Sequence, residues 1–160
     1  MATRRRFLVL LGGGTVVAAA AVGGYILLPG EEVASGLPMI KYGKDPCAQC
    51  TMIISDSRVA AAWREQGGIE RHFDDIGCMV AHSRGHTPGS ATLYWVRDFE
   101  HDAWLVAGTA AYAVASAIKT PMGYGVAAFE SADAAAGAAR HFSGEPSSWT
   151  SLVDNLKARG

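Results

Sequence analysis

The segment Asp45-Pro-Cys-Ala-Gln-Cys-Thr-Met52 puts two cysteines and a methionine into six positions of a 160-residue chain that has three cysteines altogether. Thiolates and thioethers are soft, polarisable donors, which suit Cu(I) and do not suit magnesium or calcium. A pair spaced as Cys47 and Cys50 also fits a redox dithiol, half of a zinc site or a structural disulfide. Met52 follows Cys50 by two residues, and in an extended chain that spacing points both side chains to one face. Met122 stands between Pro121 and Gly123, in a turn where a long apolar side chain gains little burial unless something receives it. Brought over from the second half of the chain, it would complete a sulfur set for Cu(I). Met79, next to Cys78 in an expected helix, reads as core filler.

The competing chemistries are weaker. Structural zinc takes four ligands, and beyond the CxxC only Cys78 and scattered histidines are on offer, with no second CxxC. A thioredoxin-like dithiol needs its first cysteine at a helix N-terminus, yet Cys50 is followed by Thr51 and the β-leaning Met-Ile-Ile-Ser. A disulfide between Cys47 and Cys50, or from either to Cys78, fits a compartment outside the cytoplasm and would oppose metal ligation until reduced. His72, alternating in an expected strand beside Phe73, is a candidate nitrogen ligand. His82 and His86 read as solvated and His101 as a surface residue, while Asp74 and Asp75 read as helix caps before acid/base groups.

Short elements must position these residues. Glu65-Gln-Gly-Gly68 is a turn leading into an alternating strand through Phe73, and Asp74 and Asp75 open a helix through Ser83. The stretch Arg58 to Glu65 carries an alanine run open to either strand or helix. Ala91 to Phe99 is the clearest strand, rich in aromatic and β-branched residues. A second apolar stretch follows at Ala103–Gly108, then a mixed alanine segment to Lys119. Val126 to Glu130 is a strand and Ser131 to Phe142 a short alanine helix capped by Ser131. Trp149, Leu152, Val153 and Leu156 fall at helical spacing, an amphipathic closing helix. Phe73-Asp-Asp and Phe129-Glu-Ser both end a strand and open a helix; from those residues alone, ordinary α+β grammar explains them better than an internal repeat does.

The first 29 residues form a targeting segment. Arg4, Arg5 and Arg6 precede 22 uncharged residues from Phe7 to Leu28, close to the roughly 20 that span a bilayer as a helix. Thr3, Arg4, Arg5, Phe7 and Leu8 resemble a twin-arginine export signal, with an ordinary signal anchor as the alternative. Either way the remainder is expected outside the cytoplasm, periplasmic or extracytoplasmic, with residues 7–28 as an anchor if they are not removed. No cysteine follows the apolar run, so lipid attachment is not expected. Residues 30–44 read as a linker. Without residues 1–29 the chain has 11 basic and 15 acidic side chains, which argues against nucleic acid as a partner.

Taken together, Asp45-Pro-Cys-Ala-Gln-Cys-Thr-Met-Ile-Ile-Ser-Asp56, His72-Phe-Asp-Asp-Ile-Gly-Cys-Met79, Val96-Arg-Asp-Phe99 with Ala103 to Tyr112, and Thr120-Pro-Met-Gly-Tyr-Gly-Val-Ala-Ala-Phe129 resemble the nitrous oxide reductase accessory protein family, NosL, over about residues 45–142. The resemblance implies an exported, non-enzymatic Cu(I) chaperone serving the copper-sulfide centre of nitrous oxide reductase, with that enzyme's apoprotein as acceptor and an upstream copper donor. It implies an α+β fold like that of organomercurial lyase: one N-terminal apolar helix, then two small ββαβ-type units, about 45–98 and 99–145, with short helices packed on mixed or antiparallel strands, and a C-terminal helix, all within 45–160. It also favours the internal repeat. The family's metal residues fall on Cys50, Met122 and Met52, the first and second carrying most of the ligation, with Cys47 guarding or exchanging the metal. This chain departs from the pattern in lacking a lipoprotein signal and in having Thr51 where glycine is usual. The functional alternatives are an extracytoplasmic thiol-disulfide oxidoreductase using Cys47 and Cys50, carbon-mercury cleavage with an aspartate such as Asp75, which rests on fold likeness alone, and a tethered interaction domain whose sulfur is structural.

Overall fold

A computed structural model describes residues 36–158; the expected targeting segment and residues 30–35 of the linker lie outside the described residues. Among these, no helix is long and apolar enough to cross a membrane.

Seven strands and three helices follow in the order β1 Ala61–Arg64, β2 Glu70–Phe73, α1 Ile76–Gly85, β3 Leu93–Arg97, β4 Trp104–Val106, β5 Ala111–Val114, β6 Val126–Phe129, α2 Ala132–His141, β7 Glu145–Ser148 and α3 Trp149–Ala158. They form two antiparallel sheets, ordered β2-β1-β3-β4 and β6-β5-β7. In each, a hairpin is followed by a helix and a third strand that returns to the other side of the first, so β1β2α1β3 and β5β6α2β7 repeat one another. Phe73-Asp74-Asp75 and Phe129-Glu130-Ser131 occupy equivalent places in the two repeats. Asp75 and Ser131 cap their helices, accepting from the amides of Gly77 and Ala134. The two-unit α+β architecture expected from the family resemblance is present. The first sheet extends past position 98 to take in β4, and the second runs to Ser148.

The alanine run is strand: β1 is buried along its whole length between two partner strands, where small side chains allow close approach from both faces. Trp63 at its centre is fully buried against Phe73, with ring centroids 4.9 Å apart. Pairing also makes β5 out of the mixed alanine segment, and β7 out of Glu-Pro-Ser-Ser, a sequence with no strand pattern of its own. Pro146 is tolerated because β7 is an edge strand.

The two sheets meet at Asp98, at the end of β3. Its buried carboxylate accepts from the amides of Glu100 and His101 beside it and from Glu130 at the end of β6, at 2.8, 2.8 and 3.0 Å. The Phe99 amide also donates to Ala128 at 2.9 Å. One buried cluster, including Trp63, Phe73, Ile76, Met79, Val96, Tyr112 and Leu152, draws on both sheets, and a second packs α2 on β5 and β6. Cys47 and Cys78 belong to the first. Leu152 and Leu156 of α3 pack into it as their spacing predicts, and the Tyr112 hydroxyl is satisfied by the Ala107 carbonyl at 2.7 Å.

Candidate metal centre

Cys47, Cys50 and Cys78 converge, with their sulfur atoms all within 4.8 Å of one another. Cys47 and Cys50 come from a tight turn. The Cys47 amide donates to the Met52 carbonyl at 2.8 Å, the Thr51 amide donates back to the Cys47 carbonyl at 3.0 Å, and a bridge between Pro46 and Ile53 closes its base. The turn is pinned to β2 by the Ala48 amide, which donates to the His72 carbonyl at 2.9 Å. Cys78 comes from the first turn of α1, which Asp75 starts. Helix and turn thus face each other with a sulfur edge on each side.

All three cysteines are free thiols, and their environments differ. Cys47 is 1% exposed, yet its pKa is pulled down to about 4, first by the Cys78 thiol, which donates to it, and then by the amides of Cys50, Asp74 and Gln49. Burial opposes this and is outweighed, since amide and thiol donors favour a thiolate. Cys78 is pushed up, chiefly because its own proton serves Cys47, with burial second. Burial also raises Cys50; the Met52 amide lowers it and the neighbouring Cys47 raises it further. The arrangement is one buried thiolate held ready beside two protonated thiols, of which Cys50 is the half-buried one.

Met52 adjoins the cluster through its backbone, with its side chain 42% exposed. The expectation that Cys50 and Met52 share a face of an extended chain does not hold. Cys50 lies in the turn, and Thr51 has φ of 64°, so the two-residue alternation of a strand is broken between them. That left-handed backbone is one glycine adopts freely and a β-branched residue resists, which gives a physical reason for the glycine usual there in the family pattern.

Met122 sits in the turn of residues 120–124, where Gly123 has φ of 71°. The turn closes on the N-terminal end of α1, the end that bears Cys78. The Thr120 hydroxyl and the amides of Met122 and Tyr124 face the Asp75 carboxylate and lower its pKa, against a larger rise from burial. Although these groups face it, Asp75 Oδ2 has no partner at hydrogen-bonding distance; Oδ1 holds the Gly77 amide at 2.6 Å. The Tyr124 ring lies over Gly77, where an added Cβ would come within 2.0 Å of it. The Met122 side chain is 45% exposed.

Cys78 is the residue that sequence reasoning left out of the ligand set. The signal is its place three residues after the cap Asp75, but no sequence spacing ties it to Cys47. Of the two aspartates, Asp75 is the cap. Asp74, like Asp75, is buried, its pKa raised by burial against the Ser55 amide. His72 is excluded from the cluster by its acidic partners: Nε2 lies 2.7 Å from Glu70 Oε1 and Nδ1 lies 3.3 Å from Asp45 Oδ2. His82 and His86 are not simply solvated. His82 bonds Gln49 at 2.9 Å and packs on Trp63 and Phe73, while His86 bonds Glu65 at 3.0 Å.

A family model described as NosL matches residues 40–155. Among solved structures, the fold resembles that of the copper chaperone NosL from Shewanella denitrificans, with a TM-score of 0.62 and 15% sequence identity, covering 72% of this chain and 93% of that one. At that identity the likeness is one of fold. No curated protein matches the chain.

Proposed function

The chain belongs to the NosL family, and from that premise we propose that it is an exported Cu(I) carrier, not an enzyme, that delivers copper for the copper-sulfide centre of nitrous oxide reductase. The observation that carries this reading is the convergence of three thiol sulfurs within 4.8 Å, a donor set suited to a soft ion of low coordination number. A trigonal site with metal–sulfur bonds of about 2.3 Å needs sulfurs roughly 4 Å apart, so closing on an ion takes little movement.

In this reading Cys47 offers a thiolate from the start, and Cys50 and Cys78 release their protons as Cu(I) binds. Cys50, the more accessible of the three, receives and surrenders the ion. The exposed thioethers of Met52 and Met122 are the outer ligands through which copper exchanges with the donor upstream and with apo-nitrous oxide reductase. Because a three-coordinate ion leaves room for an incoming ligand, transfer proceeds by stepwise displacement. The membrane association expected of residues 7–28 would keep the domain beside its client.

The oxidoreductase alternative is disfavoured by the setting of the CxxC. Catalytic dithiols present a low-pKa sulfur to solvent, whereas the low-pKa sulfur here, Cys47, is 1% exposed and belongs to a turn that no helix follows. The test is anaerobic Cu(I) titration of the reduced protein against a thiol-free competing chelator. Cys50→Ser is expected to abolish tight binding and Cys78→Ser to weaken it; unchanged affinity in Cys50→Ser would refute the assignment.

A further inference from the structure

The three thiols close a triangle, with every sulfur within 4.8 Å of the other two. Two come from one hydrogen-bonded turn and the third from the first turn of α1, so the triangle is anchored at two separate places in the fold. Cys47 and Cys78 are buried, and Cys50 is the side open to solvent. Cys50 and Cys78 each feel both other sulfurs. The charges that bear on these two are anionic: Cys47 acts on both, and Asp75 acts on Cys78.

Such a triangle has a second kind of ligand besides a monovalent metal ion. Three thiolates around Cu(I) carry two net negative charges into a buried site whose neighbours are already negative, and buried charge without a partner is costly. That is tolerable for a cargo meant to be surrendered. Around As(III) the same three thiolates give a neutral centre with no such cost. Trivalent arsenic is soft, bonds sulfur covalently, and keeps a lone pair where a fourth ligand would stand. It sits as the apex of a pyramid on three sulfurs and asks nothing further of the protein.

We propose that Cys47, Cys50 and Cys78 form a trapping site for trivalent arsenic, taken up as arsenous acid, and that arsenite thereby shuts copper out of the chain. Three arsenic–oxygen bonds break and three arsenic–sulfur bonds form. The protons of Cys50 and Cys78 leave with two of the hydroxyl groups as water, and the third group leaves as hydroxide in the step taken by the Cys47 thiolate. Arsenic stays trivalent and each sulfur keeps its oxidation state, so no oxidant or reductant enters. The first bond forms at Cys50, the accessible sulfur, and holds arsenic beside the other two at a high effective concentration. Met52 and Met122 take no part, because a thioether has no proton to exchange for an arsenic–oxygen bond. The proposal stands on the sulfur geometry and not on the copper reading above.

The test loads the reduced full chain anaerobically with one equivalent of sodium arsenite and reads the arsenic K-edge. A first shell of three sulfurs and no oxygen is expected, and oxygen retained in that shell overturns the proposal. Cys78→Ser should leave two sulfurs and one oxygen, whereas M52A/M122A should keep all three sulfurs. A shell unmoved by the first change, or reduced by the second, also overturns it; should Cys78→Ser not fold, the wild-type shell decides alone. In the wild type, apparent Cu(I) affinity is expected to fall about 100-fold at an arsenite concentration roughly 100 times its Kd, as mass action requires of two ligands sharing one site. Copper affinity independent of arsenite refutes the shared site. The two readings fail separately: a three-sulfur arsenic shell in a protein that binds no Cu(I) leaves the trap standing and overturns the copper reading, and Cu(I) binding with an oxygen-bearing arsenic shell does the reverse.

Discussion

Thr51→Gly is expected to stabilise the domain, against the general rule that glycine weakens a chain. Thr51 is exposed, so the substitution removes little packing, and its φ of 64° lies in the left-handed region. That conformation costs an L-residue roughly 1–2 kcal/mol, and a β-branched side chain belongs toward the upper end. Glycine escapes the steric cost but gives up about 0.5–1 kcal/mol more conformational freedom on folding. The difference is a gain of about 0.5–1 kcal/mol, or roughly 2–4 °C in Tm for a domain of this size. The assay is thermal and urea unfolding of the metal-free, reduced protein, with Thr51→Ala as the control. Alanine keeps a Cβ at the strained position and should recover only the part due to branching. A Thr51→Gly midpoint equal to or below wild type would show that the turn holds Thr51 without strain, and would remove the physical account of why the family pattern has glycine there.

Three further outcomes follow from the site's surroundings. Gly77→Ala puts a Cβ within 2.0 Å of the Tyr124 ring, so it should lift the 120–124 turn from α1 and cost about 1–3 kcal/mol as overpacking, read from urea midpoints. The reduced wild-type protein should retain the 240 nm absorbance of one thiolate down to about pH 4, and Cys47→Ser should lose it; a protein whose first thiolate appears only near pH 9 would contradict the Cys47 environment. Asp75 has a folded pKa raised by burial, so its contribution to stability is complete below the unfolded value and is lost as pH rises through the folded one. Asp75→Asn, which keeps an oxygen to cap Gly77, should therefore gain stability relative to wild type between pH 4 and pH 7, and a constant difference across that range would refute the raised pKa.

What could be read from the sequence was local. Asp75 and Ser131 announce their helices because capping is decided by neighbouring amides, and Trp149, Leu152, Val153 and Leu156 announce α3 by spacing alone. Residues 93–97 are strand by composition. The failures are where distant partners decide. The alanines Ala61 and Ala62 have no intrinsic preference for β and become strand because β2 and β3 bracket them, and Glu-Pro-Ser-Ser becomes β7 only because β5 offers it an edge. The same holds at the site: Cys47, Cys50 and Met52 were visible as a sulfur cluster, but the convergence of Cys78 depends on how α1 packs on the turn. Thr51 departs from the family pattern in the sequence, and only its backbone angle shows why the position matters. His82 reads as solvated in the sequence because its partner Gln49 lies 33 residues away.

The central claim, that three cysteine sulfurs grip one monovalent copper ion, is tested most directly by copper K-edge X-ray absorption on the reduced protein loaded anaerobically with one equivalent of Cu(I). The account predicts a Cu(I) edge with a sulfur-only first shell of about three donors, falling to fewer in Cys78→Ser. A first shell dominated by nitrogen or oxygen, or a sulfur count that does not change when Cys78 is replaced, would contradict it.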